Sequence, residues 1–274
     1  MIKARRIQEK EQGDATYGAS PFADLTAEEF RKNYLSPVWN VTHDPFLKPA
    51  SIPIETPPDA FDWRDHDAVT PVKNQGSCGS CWAFSVTGNV EGQWAIQKKK
   101  LLSLSEQELV DCDKVDLGCN GGLPLQAYKE IMRIGGLETE KDYPYEGKGD
   151  KCVFEKAEVE VNITGAVNIS SNEDDMKAWL WKNGPISIGL NANAMQFYMG
   201  GVSHPFSFLC SPSSLDHGVL ITGYGIKQGW MSDSPFWAIK NSWGESWGEK
   251  GYYLLYRGAG VCGVNQMPTS ATVV

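Results

Sequence analysis

The residues of this chain that could do chemistry centre on one cysteine. The chain has seven cysteines, so three pairs would leave one over. Cys81 is the candidate for that remainder, because it lies where a helix is predicted to begin. His217 and Asn241 follow far downstream, each in a Gly-rich, strand-like stretch. A free thiol with a distant histidine and asparagine is typical of a nucleophile, its base and the residue that orients the base.

The predicted position of Cys81 also favours its reactive form. A thiol with the ordinary pKa of about 8.5 is mostly protonated at neutral or acidic pH. A helix N-terminus and a neighbouring imidazolium both stabilise the thiolate. His217 would provide the imidazolium and later protonate a leaving amine, while Asn241 would accept a hydrogen bond from the other ring nitrogen. We therefore expect a thiolate–imidazolium ion pair.

Five short blocks identify a family resemblance. The block at 78–82, Cys-Gly-Ser-Cys-Trp, resembles the signature of the papain family of cysteine proteases. His217 lies within the family's spacing of about 130–150 residues after the cysteine, and Asn241 slightly beyond it. The other blocks similar to the family are Asn-Gln-Gly at 74–76, Cys-Asn-Gly-Gly at 119–122, Asp-His-Gly at 216–218 and Lys-Asn-Ser-Trp-Gly at 240–244.

The resemblance assigns roles to residues around the nucleophile. Gln75 would donate to an oxyanion hole together with the backbone N–H of Cys81. Trp243 would cover the histidine–asparagine contact and keep water out. Gly121 and Gly122 would form a wall where a substrate backbone pairs, since small residues allow close approach. Without the resemblance, the glycines could be turn residues and Trp243 a core aromatic.

The resemblance also implies a pocket for the second side chain before the cut. Its walls and base carry no charge, and Met267 at the base is flexible enough to accept different apolar shapes. We therefore expect Leu, Val or Phe to be preferred over Arg at that substrate position. The predicted pocket residues are Leu123, Pro124, Gly189, Leu215 and Met267, and Asp216 is a further predicted substrate-binding residue outside this pocket.

The remaining cysteines suggest crosslinks. The spacing of Cys78 and Cys81 also fits a Cys-X-X-Cys redox site, but no βαβ unit is evident near it. A zinc site would need further ligands at short spacing, which the sequence does not offer. We expect no metal and no organic cofactor. Six cysteines allow many pairings, of which the resemblance selects Cys78–Cys119, Cys112–Cys152 and Cys210–Cys262.

Composition excludes some partners. The formal net charge of −9 argues against nucleic acid or an anionic membrane as the main partner. No apolar run approaches the length of a membrane span. The resemblance implies protein and peptide substrates, the chain's own propeptide and cystatin-type inhibitors as partners, with a monomeric enzyme.

Several features favour the secretory route. Sequons begin at Asn40, Asn162 and Asn168, and pairable cysteines suit an oxidising compartment. We therefore expect a secreted or lysosomal, glycosylated protein. The first residues do not lead into an apolar secretory segment, so we expect a natural leader to be missing from this chain.

The first 56 residues differ from the rest. They contain no cysteine, and one helical signal from Leu25 precedes a proline-punctuated tract that favours extended backbone. The stretch 18–24 resembles a proregion motif, although the helical motif expected upstream is almost entirely missing. We expect residues 1–56 to be a partial inhibitory propeptide that an Asp24 ion pair helps to hold at neutral pH. The alternative is an ordinary N-terminal extension.

Residues 57–274 must position the site. Helical periodicity follows Cys81, with Trp82, Val86, Val90 and Trp94 forming one predicted buried stripe. Ser105 with Glu108 suggests a capping box, and further helices are predicted at 124–134 and between 172 and 184. Predicted strands are 186–190, 218–225, 236–240 and 252–256. These patterns alone indicate an α+β protein with a helical half at roughly 75–160 and a strand-rich half at roughly 161–274.

The resemblance sharpens both fold and function. It implies a papain-like two-domain fold, in which a helical domain faces an antiparallel β-barrel-like domain with the active cleft between them. It implies a cysteine endopeptidase, made as a precursor, that forms a thioester on Cys81. No insertion near Cys119 resembles the occluding loop of dipeptide-removing relatives. The alternative is a non-catalytic secreted binding or antigenic protein on a protease scaffold, but such proteins usually lose a catalytic residue.

Overall fold

The computed structural model describes residues 13–40, 44–229 and 233–273. Most helices begin or end where the sequence provides a cap or a breaker. Pro124 opens one helix, and Gly135, with φ 111°, closes it, as predicted from the proline and the glycine pair. The helices are α1 (Ala27–Tyr34), α2 (Cys81–Lys98), α3 (Glu106–Cys112), α4 (Pro124–Ile134) and α5 (Glu173–Asn183).

Among the described residues, nine strands form one large sheet and two form a small one. The strands are β1 (Thr16–Tyr17), β2 (Lys48–Pro49), β3 (Phe61–Asp62), β4 (Ile163–Asn168), β5 (Ile186–Leu190), β6 (Tyr198–Gly200), β7 (Val202–Ser203), β8 (His217–Lys227), β9 (Ser234–Lys240), β10 (Tyr252–Tyr256) and β11 (Thr269–Val273). The large sheet has the order β2-β4-β11-β5-β8-β9-β10-β7, with β3 beside β8. Its pairs are antiparallel except β2–β4 and β10–β7. Helices beside a mainly antiparallel sheet confirm the α+β prediction.

Helix α2 is more deeply buried than its sequence pattern predicts. Trp82, Val86 and Val90 are fully buried as predicted, whereas Trp94 is only half-buried. Polar side chains between them are buried as well, so the buried surface of α2 is wider than one stripe. The reason is that α2 packs against β8 and β11 of the sheet as well as against α4. A helix covered on several sides buries most of its circumference.

The polar face of α2 is satisfied by buried ionic contacts. Glu91 of α2 and Glu106 of α3 both pair with the Lys73 ammonium, at 3.2 and 2.7 Å. Thr87 donates a hydrogen bond to the same Glu106 carboxylate at 2.6 Å. Buried charges are tolerated when they are paired and hydrogen-bonded in this way. These contacts fix the middle of α2 to α3 and to the segment that contains Lys73.

Two hydrophobic clusters lie on either side of α2. The first gathers side chains of the strands, including Trp237 and Tyr253. The second gathers the helices but also includes Ile163, Ala166 and Ala271 from β4 and β11. The helical core therefore draws on residues beyond 160, where the sequence pattern changes from helical to strand-like.

The N-terminal region lies along the body. Strand β1 pairs with β6, and β2 adds to the edge of the large sheet beside β4. Helix α1 begins with a complete capping box between Thr26 and Glu29, and its buried Phe30 joins the first hydrophobic cluster. The expected Asp24 ion pair is wrong among the described residues, because Asp24 is exposed and forms no salt bridge with them. The ion pairs that join this region to the body are instead Asp14–Lys227, Asp44–Lys129 and Glu55–Lys182, and they act beside the apolar packing of α1.

Candidate active site

Cys81 is the first residue of α2 and is fully buried. The described cysteines form the pairs Cys78–Cys119, Cys112–Cys152 and Cys210–Cys262, and Cys81 is left free. Burial raises the pKa of the Cys81 thiol, although backbone N–H groups of Gly218 and Trp82 donate to the sulfur and oppose this rise. The hydroxyl of Ser36 lies 3.5 Å from the same sulfur.

His217, the first residue of β8, is held by the Asn241 side chain. Its Nε2 lies 2.7 Å from Asn241 Oδ1, which also accepts the Ser242 backbone N–H at 2.8 Å. An oxygen that accepts both bonds requires the proton to be on Nε2. The other ring nitrogen, Nδ1, is therefore unprotonated in the neutral ring. It is buried and has no hydrogen-bond partner among the described residues.

The indole of Trp243 covers the histidine. The two rings stack with centroids 4.6 Å apart, and burial lowers the pKa of His217 to about 4. Burial disfavours the charged form of both groups in this covered state of the site. The thiolate–imidazolium ion pair therefore stays a prediction for the site once it is uncovered.

Gln75 presents its amide to the same place. Its Nε2 donates to the carbonyl of Tyr34 at 3.1 Å and to that of Cys78 at 2.8 Å. Its Oε1 accepts the Ser242 hydroxyl at 2.6 Å, so the amide is fixed from both ends. The amide predicted to form the oxyanion hole therefore already donates a hydrogen bond to a peptide carbonyl of the N-terminal region, that of Tyr34.

The residues after α1 occupy the groove beside the thiol. The backbone N–H of Ser36 donates to the Asp216 carbonyl, and that of Trp39 to the Leu215 carbonyl, each at 2.8 Å. A Cβ on Gly121 would lie 2.6 Å from the Pro37 ring, so glycine is needed there for close approach. The neighbouring glycine, Gly122, has a different reason, because its Cβ would strike the Trp82 indole.

The predicted apolar pocket is filled by Trp39. Its indole packs in one cluster with Leu215 and Met267, and Leu123 lies partly buried against that cluster. A Cβ on Gly189 would come within 2.6 Å of the indole and 2.8 Å of the Met267 sulfur. The structure therefore brings these predicted pocket residues together around one apolar side chain.

Two predicted substrate-binding residues have structural contacts. Pro124 is buried at the first position of α4. The carboxylate of Asp216 accepts the Ala192 backbone N–H at 2.8 Å, and its burial raises its pKa to about 7. Only the backbone carbonyl of Asp216 meets the N-terminal segment described above.

An aromatic cluster that the sequence analysis missed joins α1 to the site. Phe22 and Phe30 lie edge-on to the Trp243 indole at 5.2 and 5.4 Å, and Tyr34 packs against both phenylalanines. The spacing of Phe30 and Tyr34, one helical turn apart, was the available signal. The indole thus lies between His217 and the N-terminal region.

The described residues hold neither a metal-binding group of His, Cys, Asp and Glu nor a helix able to cross a membrane. The three sequon asparagines, Asn40, Asn162 and Asn168, are all exposed. Residues 41–42 of the first sequon lie outside the described residues. Exposure is what a glycosylation acceptor requires.

Comparison with known proteins agrees with the geometry. The family model "Papain family cysteine protease" matches residues 57–272. The chain is 54% identical to cathepsin F of Mus musculus, covering 100% of this chain and 58% of that protein. It is 50% identical to cathepsin F of Drosophila melanogaster, covering 97% and 44%. The chain thus spans about half the length of these curated relatives. Three blocks, at 17–18, 235–240 and 262–267, carry a cathepsin F-like sequence.

Solved structures show the same relationship. The digestive procathepsin L2 proteinase of Tenebrio molitor matches with a TM-score of 0.88 at 32% identity, covering 99% of this chain and 89% of that one. The recombinant stem bromelain precursor matches with a TM-score of 0.84 at 32% identity, covering 99% and 88%. Since the family model covers most of the chain and the fold agrees over nearly all of it, the chain belongs to the papain family of cysteine proteases.

Proposed function

We propose that this chain is the precursor of a cysteine endopeptidase with Cys81 as its nucleophile. The observation that supports this most strongly is the surroundings of the one free thiol. It begins a helix and accepts the backbone N–H of Gly218, the residue after the oriented His217. The amide of Gln75 donates to the carbonyl of Cys78, three residues before the thiol. The boundary near residue 56 would separate the propeptide from the peptidase domain at 57–274.

The proposed reaction gives each of these groups a role, and His217 acts first as a base and then as an acid. His217 Nδ1 would take the proton of the Cys81 thiol, and the sulfur would attack a peptide carbonyl. Gln75 Nε2 and the Cys81 backbone N–H would donate to the resulting oxyanion, each contribution being worth about 2.7–4 kcal/mol. The imidazolium would then protonate the leaving amine. Water would hydrolyse the remaining thioester and release the enzyme.

The N-terminal region would act as the inhibitor of this site. The Tyr34 carbonyl accepts a hydrogen bond from the Gln75 amide, and the Ser36 hydroxyl contacts the thiol. Trp39 fills the predicted apolar pocket. A substrate would have to displace all three. We infer that removal of residues before about position 56 activates the enzyme.

Family membership supports the remaining features of the proposal. A secreted or lysosomal location suits the three disulfides and the exposed sequons. Protein and peptide substrates, cystatin-type inhibitors and a monomeric state would follow from the same assignment.

The decisive experiment compares wild type with Cys81→Ala after both have been trimmed near residue 56 by an added protease. We expect wild type to cleave a fluorogenic peptide and to bind one equivalent of a thiol-directed probe at Cys81. The alanine variant should do neither while keeping its circular dichroism spectrum and three disulfides. A folded wild type that neither cleaves peptides nor reacts with the probe would favour the non-catalytic binding protein.

A further inference from the structure

The hydroxyl of Tyr145 joins the two ends of the loop that carries the oxyanion-hole donors. It donates to the Gln75 backbone carbonyl at 2.8 Å and lies 2.6 Å from the Ser80 hydroxyl. Because its own proton is used on the carbonyl, the Ser80 hydroxyl donates to it. From these contacts we infer that Tyr145 is a positioning residue that sets the geometry of the oxyanion hole, an inference that rests on the proposed function.

Ser80 supports this inference because its side chain does not cap α2. It is the residue before α2, where a serine normally accepts a backbone N–H of the first helical turn. Here its φ and ψ are −94° and 13°, and its side chain makes no capping bond. Its buried hydroxyl is instead directed to Tyr145. The first turn of α2 therefore has no side-chain cap, because the Ser80 hydroxyl is linked through Tyr145 to Gln75 at the start of the loop.

The loop needs this link because its two donors lie at opposite ends. The Gln75 amide is at the start of the loop and the Cys81 N–H is at its end. Between them, Gly76 has a positive φ of 61°, a turn conformation that glycine adopts without strain. The Cys78–Cys119 disulfide fixes the middle of the loop. The Tyr145 hydroxyl fixes the two ends relative to each other.

Tyr145 is itself held in place by the body. Its backbone N–H donates to the Glu140 carboxylate at 2.9 Å. Its ring lies edge-on to Phe84, one turn into α2, with centroids 4.9 Å apart. The ring can therefore stay in position when only the hydroxyl is removed, which makes phenylalanine a suitable test substitution.

The test is Tyr145→Phe in the trimmed enzyme. Loss of one positioning contact should lower kcat by about tenfold and leave KM within about twofold, since the defect lies in the transition state. Affinity for a peptide aldehyde, whose adduct carries an oxyanion-like oxygen, should fall in parallel. The rate of alkylation of Cys81 by iodoacetamide should stay at the wild-type value, since that reaction forms no oxyanion.

Tyr143→Phe is the matched control. Its hydroxyl donates to Asp111 at 2.9 Å and accepts the Val153 N–H at 3.2 Å. Among the described residues, Tyr143 forms no hydrogen bond with residues 75–81. This variant should lose a similar amount of stability without the selective loss of kcat. Ser80→Ala removes the other end of the link and should lower kcat several-fold, which keeps the inference testable if Tyr145→Phe fails to fold.

Three results separate the outcomes. Wild-type kcat and aldehyde affinity in both Tyr145→Phe and Ser80→Ala would overturn the inference while leaving the proposed function intact. A parallel fall of kcat and alkylation rate, seen equally in Tyr143→Phe, would also overturn it and indicate a general structural role. Absence of any peptide cleavage by trimmed wild type would refute the proposed function and this inference together.

Discussion

The reactivity of Cys81 should depend on whether its neighbours are covered. In the precursor, burial raises the pKa of Cys81 and lowers that of His217 to about 4. Both shifts disfavour the charged forms that the ion pair needs. Removal of the N-terminal region would admit water, lower the thiol pKa and raise the imidazole pKa.

We therefore expect iodoacetamide to alkylate the trimmed enzyme at least about tenfold faster than the precursor at pH 5. The measurement is the alkylation rate from pH 4 to pH 8 on both forms, with the labelled residue identified by mass. Iodoacetamide is small and forms no oxyanion when it reacts, so the two rates compare the reactivity of the Cys81 thiol and do not depend on the oxyanion hole. Identical pH profiles would contradict the role assigned to burial.

The side chain that fills the pocket predicts substrate preference. Trp39 packs against Leu215 and Met267 in one apolar cluster. An Arg side chain there would be desolvated without a partner, whereas Leu, Val or Phe would gain about 1.5–3 kcal/mol on full burial. We expect kcat/KM to be at least about tenfold higher for the apolar members of a matched fluorogenic dipeptide series. Equal cleavage of the Arg member would show that the pocket is wrongly assigned.

At the level of elements, the sequence predicted those with local signals. Helix α4 has its proline and glycine, and β5 and β10 have apolar or aromatic runs, so their bounds were predicted correctly. Strand β11 was missed because its sequence, Thr-Ser-Ala-Thr-Val, is neither long nor strongly apolar. It is a strand because β4 pairs with it and α2 covers it, and neither contact can be read from local pattern.

The site divides in the same way. Cys81, His217 and the two amide residues, Gln75 and Asn241, lie in short blocks that resemble the family, so they could be located from the sequence. The occupant of the groove could not, because the contacts of Ser36 and Trp39 depend on how the segment after α1 crosses the body. The link between Tyr145 and Ser80 joins residues 65 apart in sequence, and no spacing rule indicates it.

Helix α1 makes a prediction of its own. Phe30 is almost fully buried against Trp243 and Phe22, and truncating a buried phenylalanine typically costs about 3–5 kcal/mol. Phe30→Ala should therefore loosen the inhibitory segment. We expect the precursor variant to show peptidase activity at pH 7, and to lose its N-terminal region faster than wild type at pH 5.

The matched control for this helix is Glu28→Ala, which changes an exposed side chain of the same helix. It should behave as wild type does. Activity and intact mass are followed together, so that release without cleavage is distinguished from trimming. A Phe30→Ala precursor as inactive and as slowly trimmed as wild type would mean that α1 does not hold the segment down.

Over the whole molecule, the cores and the buried acids set how stability varies with pH. The predicted halves meet along α2, and each hydrophobic cluster contacts it or the strands beside it. Within this interior, burial raises the pKa of Glu108 to about 8 and that of Asp216 to about 7. These carboxyls are more easily protonated in the folded chain than in the unfolded chain.

The sign of their effect follows from proton binding. Between the unfolded value of 4.5 and about 8, the folded state binds a proton at Glu108 that the unfolded state has lost, so stability falls as pH rises. His217 acts in the opposite direction, because its pKa is lowered from 6.5 to about 4, but its contribution is complete by pH 6.5. Between pH 6.5 and pH 8 the carboxyl contributions therefore remain without that opposition.

In the Cys81→Ala precursor, which cannot digest itself, we expect the titration of Glu108 alone to lower the unfolding free energy by about 2 kcal/mol between pH 6.5 and pH 8, or roughly 4–8 °C in Tm. Glu108→Gln, added to it, should flatten this decline, because the amide does not titrate and can still accept the Glu138 N–H that Glu108 accepts at 2.7 Å. Glu28→Gln at the exposed site on α1 should leave the slope unchanged. Thermal unfolding followed by circular dichroism at several pH values measures all three. An unchanged slope in Glu108→Gln would show that this buried acid is ionised in the folded chain, and the pH dependence would then need another source.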